Sequence, residues 1–221
     1  MRFIVRWLFR LLILVIVLAV AAVLLLDTST KALMESRIRS QTGMDVTIGK
    51  VEIGLMTPTF RMEGFKLYNS AEFGGTPLIQ IPEVFVEYDR DAAARQLLKI
   101  KLLRLNISEI NVVQHPSGRS NLEVLQAQKG AAAGQTVEFG GIDVLNLSLG
   151  KMRFVDLKDP KQNREFSFGI KDEVVRNVRG VGDLTGLMLK IALKQGPSML
   201  KEGWFNRLVP GVVPTNAPTR K

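Results

Sequence analysis

Between Leu11 and Leu26 the chain runs for sixteen residues of Leu, Ile, Val and Ala alone, and Arg2, Arg6 and Arg10 stand directly before them. Backbone amides in hydrocarbon must be satisfied within the segment itself, which restricts such a run to a helix. At about 1.5 Å per residue, a hydrocarbon core of about 30 Å takes about 20 residues. The stretch from Trp7 to Leu26 supplies that length if Arg10 snorkels toward the headgroups. The three arginines predict a cytoplasmic N-terminus and place everything after Asp27 outside, in a periplasm or equivalent space. A cleaved signal peptide is the rival, with Ala19, Val20 and Ala21 as its small-residue site. Against it, Val23, Leu24, Leu25 and Leu26 continue the apolar run where a signal peptide turns polar.

Composition narrows the remainder. No cysteine is present, so disulfides, thiolate metal sites and cysteine nucleophiles are excluded and stability must come from burial. The formal charge is +9, and +6 once the three N-terminal arginines are set aside. Outside the cytoplasm, a moderately basic surface meets anionic lipid or acidic protein more readily than nucleic acid. No basic patch is interleaved with stacking aromatics, so no nucleic-acid partner is expected.

Periodicity after the anchor is mainly that of strands. Thr28 or Ser29 can cap a short helix to about Ser40 with Leu33 and Ile38 as a thin apolar stripe. Val46 and Ile48 are out of phase with Val51, Ile53 and Leu55, which predicts a bulge near Gly49. Strands follow over 60–68 and 78–88, the second interrupted by Pro82, which suits an edge or a bend. Residues 89–96 read as one or two helical turns, and 98–114 as a strand with a phase slip near Leu103. The Ala/Gly stretch 130–134 is the best linker. Beyond it, 142–149 and 152–157 read as a hairpin turned at Gly150 and Lys151, and 165–170 as a further strand. With Asp183 as a cap, Leu184, Leu187, Met188 and Ile191 fall at helical spacing, and a second amphipathic piece carries Trp204 and Phe205.

Catalytic chemistry cannot be assembled from these residues. His115 is the only histidine, and Pro116, Ser117 and Gly118 make its surroundings a turn. Asp156 and Asp159, followed by Pro160, suit a loop closure better than an acid and base pair. The glycine pairs at 74–75 and 140–141 lack the strand, glycine pattern and helix of a nucleotide site. The expectation is a protein that is not an enzyme and takes no cofactor or metal.

Three segments carry an order of residues beyond periodicity. They are TGMDVTIGKVEIGLMTPTFRMEGFKLYNSAEFGGTPLIQIPEVFVEYD after the anchor, NISEINVVQHPSGRSNLEVL with its turn of Gly118, Arg119, Ser120 and Asn121, and LNLSLGKMRFVDLKDP with Asp156 ending a strand. Together they resemble the AsmA-like proteins, across roughly residues 28 to 170. That resemblance implies an anchor in the bacterial inner membrane and a curved, largely antiparallel β-sheet with an apolar groove. It also implies lipid handling and a part in outer-membrane and envelope biogenesis.

The chain is thus expected to be mainly β with short helices. Its parts are a stub and transmembrane anchor (1–27), a first periplasmic β segment (28–129), a second (130–182), C-terminal amphipathic helices (183–209) and a disordered tail (210–221). Expected partners are the inner-membrane bilayer, a phospholipid cargo or a larger envelope protein. Val46, Ile48, Phe60, Ile100, Leu102, Leu184, Leu187, Met188 and Ile191 are the residues to contact them. The alternative is a structural adaptor of the same fold with a filled core, holding another envelope protein at the membrane.

Overall fold

The structure, a computed structural model, describes residues 30–54, 57–123 and 138–184. The anchor, the Ala/Gly linker, Leu187, Met188, Ile191 and the C-terminal tail lie outside the described residues. Among those described, no helix is long and apolar enough to cross a membrane. The fold is mainly β: one mixed sheet of seven strands and a few short helices.

Helix α1 (Thr30–Thr42) precedes strands β1 (Val46–Thr47), β2 (Lys50–Ile53), β3 (Thr59–Tyr68) and β4 (Pro77–Tyr88). Helix α2 (Arg90–Ala94) leads into β5 (Leu97–Gln114), followed by β6 (Glu138–Asp156) and β7 (Arg164–Val178). β1 and β2 both pair with β3, and the order then runs β3, β4, β5, β6, β7. Every pairing is antiparallel except β5 with β6, which is parallel over sixteen register partners from Leu97↔Glu138 to Gln114↔Asp156. The two β segments on either side of the Ala/Gly stretch therefore join edge to edge in one sheet.

α1 ends where Gly43 takes the left-handed conformation (φ 62°) and its amide donates to Arg39 O at 2.8 Å. It buries Met34 and Ile38, whereas Leu33 is 43% exposed, so the apolar stripe runs through Met34 rather than Leu33. Asp89 caps α2 by accepting from Ala92 N at 2.9 Å.

A regular strand buries every second residue. Here the alternation slips in strand after strand. β3 buries Phe60 and Met62, then Phe65 and Leu67; β4 buries Ile79 and Ile81, then Val84 and Val86; β5 buries Leu105 and Ile107, then Ile110 and Val112; β6 buries Leu147 and Leu149, then Met152. At each slip stand one small residue or proline and one charge: Gly49 and Lys50, Gly64 and Glu63, Pro82 and Glu83, Ser108 and Glu109, Gly150 and Lys151. The register lines these up, with Lys50 opposite Glu63, Glu63 opposite Glu83, Glu83 opposite Asn106, and Glu109 opposite Lys151. The buried residues on both sides belong to one continuous cluster. Each strand thus carries an extra outward-facing residue at the same level, and the apolar face stays on one side. A second, shorter row crosses β5, β6 and β7 at Leu102, Val144 and Arg176, which are register partners.

These rows correct three sequence expectations. The break at Gly49 is not a bulge against β3: Thr47 faces Lys66 and Lys50 faces Glu63, three residues on in both strands, because β3 slips at Gly64 (φ 66°) as well. Of the edge or bend expected at Pro82, the edge is excluded, since β4 is an interior strand; it continues through Pro82 with its burial phase slipping there, and the ladder leaves Pro82 without a partner on either side, so no hydrogen bond is forfeited. Gly150 and Lys151 do not turn a hairpin. A Cβ on Gly150 would lie 2.4 Å from Ser108 O, so glycine serves a close approach of β6 to β5 inside one long strand.

Candidate functional site

The face on which the residues predicted to meet lipid or partner lie is a closed layer. Val46 and Ile48 are 2% exposed, and Phe60 and Ile100 are wholly buried. Leu184 is also buried, and Leu102 is half-buried at the second slip row. Around them Phe65, Leu67, Leu78, Ile79 and Leu103 are fully buried, and Phe166 and Phe168 of β7 pack against the same cluster. The structure brings Val46, Ile48, Phe60, Ile100 and Leu184 into one aliphatic layer extending from β1 to beyond β7.

The helix that Asp183 is expected to cap lies outside the described residues; within them Asp183 serves the turn before it. Its carboxylate accepts from Arg179 N (2.6 Å) and Gly180 N (3.0 Å), closing the turn that leaves β7.

The turn of Gly118, Arg119, Ser120 and Asn121 clamps one end of the sheet. Gly118 sits at φ 85°, and His115 N donates to Arg119 O at 2.8 Å. Asn121 is fully buried and spends its whole amide: Oδ1 accepts from Val113 N (3.1 Å), and Nδ2 donates to Asn111 O (2.8 Å) and Asn69 Oδ1 (2.7 Å). Asn111 continues the chain by donating to Pro77 O at 2.6 Å. Arg119 pairs with Glu72 at 3.1 Å, and Phe73 meets the His115 ring edge-on. The turn at the end of β5 is thereby fastened to the 69–77 loop between β3 and β4, across 52 residues of sequence. Ser120 contributes locally, its hydroxyl accepting from Glu123 N at 3.3 Å.

Asp156 is likewise held by its own loop. Its Oδ1 accepts from Lys158 N (2.8 Å) and Asp159 N (3.0 Å), and its amide donates to Asn163 Oδ1 (2.8 Å). Asp159 accepts from Lys161 N at 3.1 Å. His115 Nδ1 lies 2.9 Å from the Ser117 hydroxyl, inside its own turn. Among the described residues, no three His, Asp or Glu side chains gather as a metal site.

The opposite face of the sheet is polar, and the charges of the slip row dominate it. Arg61 reaches Glu83 (3.5 Å) and Glu63 (3.9 Å); Arg153 reaches Glu109 (2.9 Å); Lys151 reaches Glu109 (3.6 Å) and Glu165 (3.7 Å). The Arg153 guanidinium holds the Glu165 carboxyl below its ordinary range, and Lys50 does the same to Glu52. Phe85 is covered by the guanidinium carbons of Arg104 at 4.4 Å and Arg61 at 5.6 Å, so the aromatic ring on this side is shielded by cations.

Sequence reasoning missed the Asn69, Asn111 and Asn121 chain, since three asparagines 42 and 10 residues apart give no local pattern. The slip rows did leave a signal, because each strand carries the same out-of-phase step beside Gly, Ser or Pro. Comparison with protein-family models, curated proteins and solved structures finds no match to this chain.

Proposed function

We propose that this is a bacterial inner-membrane protein, anchored by its N-terminal apolar run, whose periplasmic β-sheet contacts or transfers phospholipid in support of envelope biogenesis. The observation that carries the reading is the division of the sheet: one continuous aliphatic layer, and one face of paired charges. A phospholipid leaving a bilayer exposes acyl chains at about 0.8 kcal/mol per CH₂. A one-sided aliphatic layer offsets that cost while a headgroup stays in water. The resemblance of the three segments to AsmA-like proteins points the same way. The family turn residues act in this reading as a clamp that fixes the sheet end, and no catalytic step is assigned.

A second reading, the structural adaptor, is favoured by the depth of burial, since Phe60, Phe65, Leu67 and Ile100 are already covered. Lipid reaching these side chains must displace what covers them. A photo-crosslinking benzoylphenylalanine replacing Phe168, on the aliphatic side, or Phe85, on the charged side, separates the two readings in the full chain in membranes. Phospholipid adducts at position 168 and none at 85 support lipid handling. Protein adducts at either position with no lipid adduct at 168 support the adaptor and refute lipid handling.

A further inference from the structure

The chain leaves the sheet through its aliphatic side. After Val178 the turn is pinned twice: Arg179 Nη1 donates to Gly140 O at 2.7 Å, and the Asp183 carboxylate accepts from the Arg179 and Gly180 amides. Residues 181–184 pack on β7 and deliver Leu184, buried, into the same apolar cluster as Ile142 and Val178. The layer is deepest at this end. The register partners Val178 and Ile142 are 0% and 1% exposed, whereas Ile170 and Leu149, partners further along the same two strands, are 8% and 7%. Among the described residues β7 pairs with β6 alone, and α1 packs on β1 and β2 at the other edge of the sheet. The closer coverage of Val178 and Ile142 therefore comes from a layer above the strands, and Leu184 is where that layer begins.

The sequence continues the stripe that Leu184 opens. Leu187, Met188 and Ile191 follow at i+3, i+4 and i+7, which places all four within about 100° round a helix. Lys190 and Lys194 share one flank of such a helix, and Leu189 and Leu193 fall on its other side, an ordinary apolar load for a surface. The twelve residues from Leu184 to Gln195, before Gly196 and Pro197, make about 17 Å of helix. At about 4.8 Å per strand that length reaches from β7 to β4. On the far side Met34 and Ile38 of α1 already belong to the same cluster. We infer that residues 185–195 lie as a helix across the aliphatic layer with Leu187, Met188 and Ile191 inward, so that the occupant of the layer is this chain's own C-terminal segment. Acyl chains entering the layer then displace those three side chains. That displacement rests on the lipid-handling reading; the docking does not.

The test places benzoylphenylalanine at Met188 or Ile191 of the full chain in membranes, with Lys190 as the flank control, and maps adducts by peptide mass spectrometry. Expected are adducts within one chain, to 142–147 of β6 or 98–105 of β5, severalfold more abundant from 188 and 191 than from 190. Adducts to a second copy, seen as a crosslinked dimer, or to another protein, with none to the chain's own sheet, would overturn the inference. Equal yields from 188, 190 and 191 would do the same. Displacement is read with the crosslinker at position 168, where Met188→Asp with Ile191→Asp should raise phospholipid adducts severalfold; an unchanged yield overturns it. Sheet adducts from 188 with no phospholipid adduct at 168, in either form, uphold the docking and refute lipid handling. Phospholipid adducts at 168 without sheet adducts from 188 or 191 uphold lipid handling and overturn the docking.

Discussion

Replacing Gly150 by alanine tests whether the slip row is a steric requirement of the sheet. The added Cβ would stand 2.4 Å from Ser108 O, 3.1 Å from its carbonyl carbon and 3.3 Å from its Cα, all backbone atoms of the neighbouring interior strand. Carbon contacts are comfortable at about 3.5–4.0 Å, so β5 and β6 must part locally by about 1 Å. Both strands are paired on their other sides, to β4 and β7, and neither can move freely. Overpacking of this kind costs about 1–3 kcal/mol, and the lower chain entropy of unfolded alanine returns about 0.4–1. The expected net loss is about 2 kcal/mol. Gly169→Ala is the conformational control: nothing lies within 4 Å of its Cβ position, but φ is 58°, which costs about 1–2 kcal/mol before the same entropy return. Gly182→Ala has neither clash nor positive φ and should be neutral or slightly stabilising. Urea pulse proteolysis of the full chain in micelles reads all three as midpoint shifts. With a slope of about 2 kcal/mol per molar, Gly150→Ala should lower the midpoint by about 1 M. A shift no larger than that of Gly182→Ala would refute the close approach of β5 and β6 at the slip.

The same assay checks the clamp. Asn121→Ala strands Val113 N, Asn111 O and Asn69 Oδ1 in the interior and should cost at least about 3 kcal/mol, at about 1–3 per buried group left unpaired. Arg119→Ala removes only a solvent-exposed pair with Glu72 and should cost less than about 1 kcal/mol. Acid should destabilise the fold: Glu52, Asp89 and Glu165 all have carboxyls depressed in the native state, by Lys50, by the Ala92 amide and by Arg153 respectively. Their contribution is therefore complete above the unfolded carboxyl values of about 4 and is lost as pH falls through the lower native values. The urea midpoint followed from pH 6 to pH 3 should decline, and Glu165→Gln should make the decline shallower.

Local chemistry was readable wherever a single residue sets it. The helical turns expected over 89–96 and the turn at Pro116, Ser117 and Gly118 after β5 are where the sequence puts them, although the cap at Asp89 was not read from it. The parallel join of β5 to β6 was not readable, because nothing within either strand records which neighbour it will find. Gly150 shows the ambiguity sharply. A glycine beside a lysine between two apolar runs fits a hairpin turn, and only the Ser108 carbonyl across the strand gap shows that it serves contact instead. Lys171 to Val178 carries five charges or amides in eight residues and lies beyond the strand expected over 165–170, yet it continues β7 by pairing with Ile142 to Leu147. Ladder hydrogen bonds and half-burial of Val175 outweigh its low strand propensity.

β7 also bears on how such a sheet could serve lipid. Among the described residues it pairs only with β6, and three of its residues, Gly169, Asp172 and Asn177, have positive φ. Each turns the backbone away from a straight edge, and Arg164, Glu165, Lys171, Asp172 and Arg176 add charge along the same strand. Kinks and charges of this kind keep an edge from templating another strand. With β1 and β2 sharing one lane beside β3, the sheet is six strands across, about 24 Å wide at about 4.8 Å spacing. A guarded edge and that width do not suit a conduit built by adding sheets side by side. On the proposed reading they suit work done at the bilayer surface, beside a leaflet that would supply the lipid.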